Sequence, residues 1–226
     1  MTQDNIEIMS EYSPNDNALI PGRIETLVDG VFAIVLTLLV LEIHAPEATS
    51  ETELIRQLLA LYPKLISFVI SFVILGIFWF GHRMEYHYIR RSDRILIWLN
   101  LLFLMCITFI PFSASLLGEN LEYRTATIVY GVNLVAAGLV GYVHWRYATD
   151  GHRLVDLDMD VQIIHKVGRI FLVVPFIYLF AICLLFLSIT ISLILYAIVP
   201  ALYIRPPRED RHLTSLRRQP AIRKES

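Results

Sequence analysis

Charge is scarce in this sequence. Of its 226 residues, 18% are Asp, Glu, Lys or Arg, against about 25% in an ordinary soluble domain. Apolar residues reach 56% and the mean hydropathy is +0.58. One water-soluble core of this size does not absorb that surplus, which excludes an ordinary soluble enzyme and a disordered chain. Positive charge is not in excess either. The 19 Lys and Arg stand against 21 Asp and Glu, so nothing points to nucleic acid or another polyanion as partner. The two cysteines, Cys106 and Cys183, both sit in apolar runs and form no disulfide framework. The seven histidines lack His-Glu-x-x-His or any other metal-ligand spacing. The run Asp156-x-Asp158-x-Asp160 begins like a calcium loop, but Val161 and Val167 stand where such a loop needs Gly and Glu. No Ser-His-Asp or nucleophile-elbow pattern is present. Neither enzyme activity nor a cofactor is expected.

What is abundant is long apolar runs. A helix needs about 20 such residues to cross the hydrocarbon layer. Six candidates follow: Ile24–Ile43, Tyr62–Phe80, Ile95–Leu117, Thr125–Trp145, Ile170–Leu187 and Ser188–Ile204. The last two share a stretch without charge, roughly 52 Å long as one helix. It reads as a tight hairpin near Ser188 and Thr190, or else as one long tilted helix that leaves five spans. The expectation is an all-α membrane protein with six transmembrane helices per chain. Residues 1–22 form a polar N-terminal segment, 23–204 the membrane domain and 205–226 a basic tail. Met1–Gly22 has no apolar core behind a basic start, so no cleaved signal is expected. Glu51–Leu61 keeps its charges at one end and is expected to start the second helix in the interface.

Basic residues orient the chain. With both termini in the cytoplasm, sixteen of the nineteen Lys and Arg lie inside. Only Arg56, Lys64 and Arg124 lie outside. Arg83, Arg90, Arg91 and Arg94 mark one inner loop. Arg146, Arg153, Lys166 and Arg169 mark the next. A multi-pass protein of the plasma membrane is the expected setting. The two halves show no internal repeat, which weakens a transporter reading.

The first span is the least apolar. Asp29 interrupts it about four turns from its outer end, and a carboxylate at that depth is costly unless it is paired or functional. At 100° per residue, Ile34, Thr37 and Leu41 lie on one stripe, extended inward by Leu27 and Gly30. Asp29, Ala33, Leu36 and Val40 lie on another. The Ile34 stripe reads as lipid or core packing, or as the lining of a path. Asp29 reads as a structural pair, with Arg23, His82 and Asn100 as candidate partners at similar depth. His82 reads as a satisfied structural histidine or as a pH sensor. Pro111 ends the third span with a possible kink.

The run Arg23-x-x-x-Leu27-Val28-Asp29-Gly30, with the apolar residues that follow, resembles the first-helix signature of the lysosomal/endosomal potassium channel family (transmembrane protein 175 family) in its prokaryotic form. The signature is Arg-x-x-x-Phe-Ser-Asp. Arg and Asp keep their spacing here, while Leu27 and Val28 replace Phe and Ser. Trp79-x-x-His82, Asn100, Pro111-Phe112 and Leu116-Leu117-Gly118-Glu119 are also similar to the family. The resemblance is close from Arg23 to Glu119 and loose beyond.

It implies a moderately selective, leak-like potassium channel without a TVGYG filter, and this sequence contains no Gly-Tyr-Gly. It further implies a homotetramer in the bilayer, with the first helices lining the pore. Ile34 matches the constriction, Thr37 the hydroxyl position and Leu41 the next apolar ring. Arg23, Asp29, His82 and Asn100 match a structural polar network. Leu27 and Val28 remove a serine hydroxyl from that network. Potassium is then the permeant ion, with no other metal. Glu42, Glu47, Glu51, Glu53, Glu119 and Glu122 outnumber the outer basic residues and are expected to concentrate cations at the mouth. The competing expectation is a proton-coupled transporter or proton-conducting channel that uses Asp29 and His82.

Overall fold

A computed structural model describes residues 21–203, with side chains to Ile198. The N-terminal residues before Pro21 and the basic tail from 205 lie outside the described residues. Among those described, the chain is helical, and one isolated antiparallel bridge joins Ile89 to Val155. Eight α-helices follow in order: α1 (Pro21–Leu41), α2 (Glu51–Ala60), α3 (Tyr62–Tyr88), α4 (Arg94–Thr108), α5 (Ile110–Glu119), α6 (Arg124–Thr149), α7 (Val161–Leu184) and α8 (Ile189–Tyr203).

Five segments are long and apolar enough to cross a membrane: α1, α3, α4 with α5, α6 and α7. The sixth apolar helix, α8, has 15 residues and is shorter than a standard crossing. The uncharged stretch does break, at Leu185–Ser188, and α8 turns back onto α7. Elsewhere the boundaries move outward. The second span runs to Tyr88 rather than Phe80, and the fifth begins at Val161 rather than Ile170. Hydropathy marks only the apolar stretch, whereas helices continue through polar ends. Asp160 caps the start of α7 by accepting from the Gln162 N–H at 2.8 Å.

Two breaks have local causes. Phe109 separates α4 from α5, and Pro111 sits in the first turn of α5, where its missing N–H costs nothing. Leu61 separates α2 from α3, again just before a proline, Pro63. Glu51–Ala60 is therefore a helix of its own, with Ile55, Leu58 and Leu59 exposed, rather than the first turns of the second span. Ser50 caps it, and the Glu53 carboxylate accepts from the Thr49 hydroxyl at 2.8 Å. That bond and the Thr49 N–H hold the carboxyl of Glu53 below the usual range.

α3 and α6 form the centre of the bundle. α1 packs against α3, α4 and α5, while α6 packs against α4, α5 and, most extensively, α7. Lipid tails are as apolar as leucine, so close packing rather than water exclusion joins these helices. α6 supplies small residues for it: Gly131, Ala137, Gly138 and Gly141. A Cβ at Gly138 would stand 3.1 Å from the Pro175 ring of α7, and one at Gly131 would collide with Ile182 and the Tyr196 hydroxyl. Polar side chains bond across the helices. Ser67 donates to the Ala114 carbonyl at 2.7 Å, Ser71 and Tyr130 share a bond of 2.9 Å, and Asn133 donates to Ser113 at 3.2 Å.

At the arginine-rich end, the connectors after α3 and α6 are pinned together. The Arg90 N–H donates to the Leu154 carbonyl at 2.9 Å, and the Arg90 guanidinium pairs with Asp156 at 3.0 Å. Both side chains are exposed, so the ion pair contributes about 0–1 kcal/mol. Asp156 and Asp160 are thus engaged in a surface pair and a helix cap.

Packing at Gly131 is testable. Gly131→Ala should destabilise the protein by about 1–3 kcal/mol through overpacking. Gly76→Ala, where a Cβ meets open space, should be neutral or slightly stabilising. Reversible unfolding in mixed detergent micelles compares the two, and equal effects would refute the close α6–α8 contact.

Candidate functional site

α1 is divided lengthwise. Ile24, Val28, Phe32, Val35 and Leu39 are buried against the rest of the bundle. Their spacing of three and four residues makes one continuous stripe. The opposite side is left uncovered. Ile34 is 61% exposed and Leu41 68%, while Phe32 is 1% exposed. Arg23, Leu27, Gly30 and Thr37 share that uncovered arc. The Thr37 hydroxyl donates to the Ile34 carbonyl at 2.7 Å. It therefore lies folded back along its own helix, with its oxygen lone pairs available on the exposed face.

Asp29 lies on the flank of that arc. Its carboxylate accepts from the Trp79 indole N–H at 2.7 Å, tying α1 to α3. The Arg83 guanidinium lies over the same indole, 5.8 Å from the ring centroid. The expected partners of Asp29 were Arg23, His82 and Asn100, and the structure gives it a different one. Arg23 is exposed and makes no ion pair with a described residue. Its Cα lies six residues earlier, roughly 9 Å down the axis, whereas the indole reaches across from a neighbouring helix. Tryptophan read only as an interface anchor hides this donor.

His82 and Asn100 do meet. The ring Nε2 lies 2.9 Å from Asn100 Oδ1, between α3 and α4, and both residues are buried. An amide oxygen only accepts, so this bond sets the proton on Nε2. His82 stacks on Tyr86 at 4.5 Å and on Phe103 at 5.6 Å. Two further members escaped sequence reasoning. Glu85 of α3 and His144 of α6 lie Oε2 to Nδ1 at 3.0 Å, each 1% exposed. The Tyr86 hydroxyl lies 3.3 Å from His144 Nε2. The i, i+3 spacing of His82 and Glu85 placed them on one helix face. Their common partner on α6 is 59 residues away from Glu85 in sequence and carried no local signal.

Of the acidic residues expected on the outer side, Glu119 is paired with Lys64 at 2.8 Å across the ends of α5 and α3. That pair cancels one charge of each sign at this end of the bundle. The remaining outer acids still exceed Arg56 and Arg124 in number.

The model of the family "Endosomal/lysosomal potassium channel TMEM175" matches residues 23–111. A potassium channel of Chamaesiphon minutus is 35% identical over 176 residues, covering 76% of this chain and 87% of that protein. The chain belongs to the TMEM175 family. A crystal structure described as a lysosomal potassium-selective channel TMEM175 homolog from the same organism superposes with a TM-score of 0.73 at 31% identity. That match covers 81% of this chain and 95% of the other. An animal member, the endosomal/lysosomal proton channel TMEM175 of Gallus gallus, is 33% identical over 108 residues, which is 44% of this chain and 22% of that protein. The TMEM175 family model covers α1 from Arg23 onward and all of α3 and α4, so it includes both the uncovered stripe and the Asp29–Trp79 and His82–Asn100 bonds.

The Asp29–Trp79 bond predicts a mutational difference. Trp79→Phe keeps the ring and removes the donor, and should lower stability by about 0.5–1.5 kcal/mol. Trp98→Phe, at an exposed ring on α4, should change it little. Thermal unfolding of the two variants in detergent makes the comparison.

Proposed function

We propose that this chain is a potassium-permeable, moderately selective channel, assembled as a homotetramer around a pore lined by α1. One observation carries the reading. The first helix of a potassium-channel family member leaves a full-length apolar stripe uncovered, directly opposite its buried stripe. A single chain cannot enclose a path with one helix face, so copies must meet there. Four is the family's number.

In this arrangement Ile34 and Leu41 form apolar rings and Thr37 a hydroxyl ring between them. An apolar ring offers no oxygen ligands, so an ion must shed part of its hydration there. Potassium sheds water at lower cost than sodium, and this difference gives a preference without backbone carbonyls. Asp29 with Trp79 sets α1 against α3, and His82 with Asn100 sets α3 against α4, while Arg23 stands on the open arc of α1. The distribution of basic residues supports six spans with both termini cytoplasmic, in the plasma membrane. In this reading α8 belongs to the sixth span.

Single-channel recording in planar bilayers tests the assignment. Under a potassium/sodium gradient, the wild type should reverse toward the potassium potential. Ile34→Asn and Leu41→Asn should raise conductance and move the reversal potential toward zero. An unchanged ion preference in both variants refutes these rings.

A second reading is proton conduction, favoured by the relationship to the Gallus gallus proton channel and by a carboxylate on the flank of the proposed pore. It predicts a reversal potential that follows a pH gradient with potassium symmetric, and its loss in Asp29→Asn.

A further inference from the structure

We propose that Glu85 and His144 form a proton-binding site at the arginine-rich end of the bundle, and that its occupancy sets the position of α1 through Phe103. The inference rests on the channel reading for its effect on current, but not for the site itself. Three observations carry it.

The first is an enclosed acid–base pair. Glu85 Oε2 and His144 Nδ1 lie 3.0 Å apart, and both side chains are 2% exposed. The second is an orphan acceptor, since Glu85 Oε1 is buried and has no hydrogen-bond partner. A carboxylate left with one bare oxygen in such a place is costly. With His144 Nε2 carrying its own proton toward the Tyr86 oxygen, one further proton between Oε2 and Nδ1 makes the pair neutral overall, whichever atom holds it. Without that proton the site carries one negative charge, and with a second proton it carries one positive charge. Both charged states are penalised by burial.

The third observation is what the pair touches. Tyr86 bonds His144 Nε2 and stacks on both His82 and His144. The His82 and His144 rings are 5.9 Å apart. His82 stacks on Phe103, and Phe103 meets Phe32 at 6.3 Å. Phe32 belongs to the buried stripe of α1, behind Ile34. A change of charge at Glu85–His144 therefore presses on an unbroken run of rings that ends on the proposed pore helix.

The groups around the site are few. From its own helix α3 come His82 and Tyr86. From α1, Glu25 and Asp29 are the charged residues that act on Tyr86 and His82. α4 supplies the neutral Asn100 and Phe103, α6 supplies His144, and α7 places Phe171 against Gly81 and Gly141. The pair is not part of the Asp29–Trp79 or His82–Asn100 bonds, and it is remote from the uncovered face of α1.

The test uses the full chain reconstituted in bilayers and proteoliposomes. Potassium current is measured while the pH on the arginine-rich side falls from about 9 to about 4, because burial moves both protonation steps of the pair away from the ordinary imidazole value. The wild-type current should change by about fivefold or more, the lower end of ordinary coupling between sites. Glu85→Gln and His144→Gln should conduct with that response largely lost. Phe103→Leu should keep proton uptake at the site and weaken its effect on current. Conducting Glu85→Gln channels with the wild-type pH response overturn the proposal. Infrared difference spectra over the same pH step read the site directly. A buried-carboxyl band should change in the wild type and be absent in Glu85→Gln. Should Glu85→Gln fail to assemble, the ring-nitrogen resonances of His144 in the wild type serve instead, and a His144 that does not titrate overturns the site. Absence of current in every protein, with the infrared band intact, refutes the channel reading and leaves the proton site standing.

Discussion

Hydrocarbon solvates no polar group, and this constraint orders the whole bundle. Each polar side chain on these helices must find a partner inside the protein or face a cavity. The interhelical bonds follow from it: Ser67 to Ala114, Ser71 to Tyr130, Asn133 to Ser113, His82 to Asn100 and Glu85 to His144. Each ties two different helices, so the polar residues also set rotation and register. Such bonds average about 0.6 kcal/mol each in membrane proteins. Their larger role is to exclude arrangements in which a buried dipole would be left alone.

Close packing supplies the rest. α6 can sit at the centre because its glycines let α7 and α8 approach its backbone. Pro175 fits where Gly138 has no side chain. The centre of the bundle is thereby occupied by α3 and α6, and α1 is left at the periphery with one side uncovered. A helix with a carboxylate on its flank and a hydroxyl on its outer face is poorly suited to lipid alone. The same constraint that buries Asn100 and His144 thus singles out the bare face of α1 as the surface on which the proposed assembly rests.

The polar residues sort by depth into two systems. Asp29, Trp79 and Arg83 hold the flank of α1 near the uncovered face. Glu85, Tyr86 and His144 are shut inside the bundle, with His82 between the two groups. Aromatic rings connect them, from Tyr86 and His144 through His82 and Phe103 to Phe32 of α1.

Much of this was legible in the residues. Apolar runs marked the five long spans, and basic residues marked one end of the bundle. Helical periodicity alone put Ile34, Thr37 and Leu41 on one stripe, because the angle between positions along a helix is a property of the backbone. The break before α8 was expected near Ser188, since 35 uncharged residues exceed one crossing. What periodicity could not supply was which stripe faces inward. Nor could it supply the partner of Asp29 or the meeting of Glu85 with His144. Those depend on side chains brought together from helices far apart in sequence. The sequence by itself determined the apolar helices and the grouping of their residues into stripes, through local geometry and the cost of moving charge into hydrocarbon, but not where each helix ends. Tertiary packing decided that Trp79 reaches Asp29, that α6 fills the centre, and that α1 keeps one face bare, because only the docked neighbours define what remains uncovered.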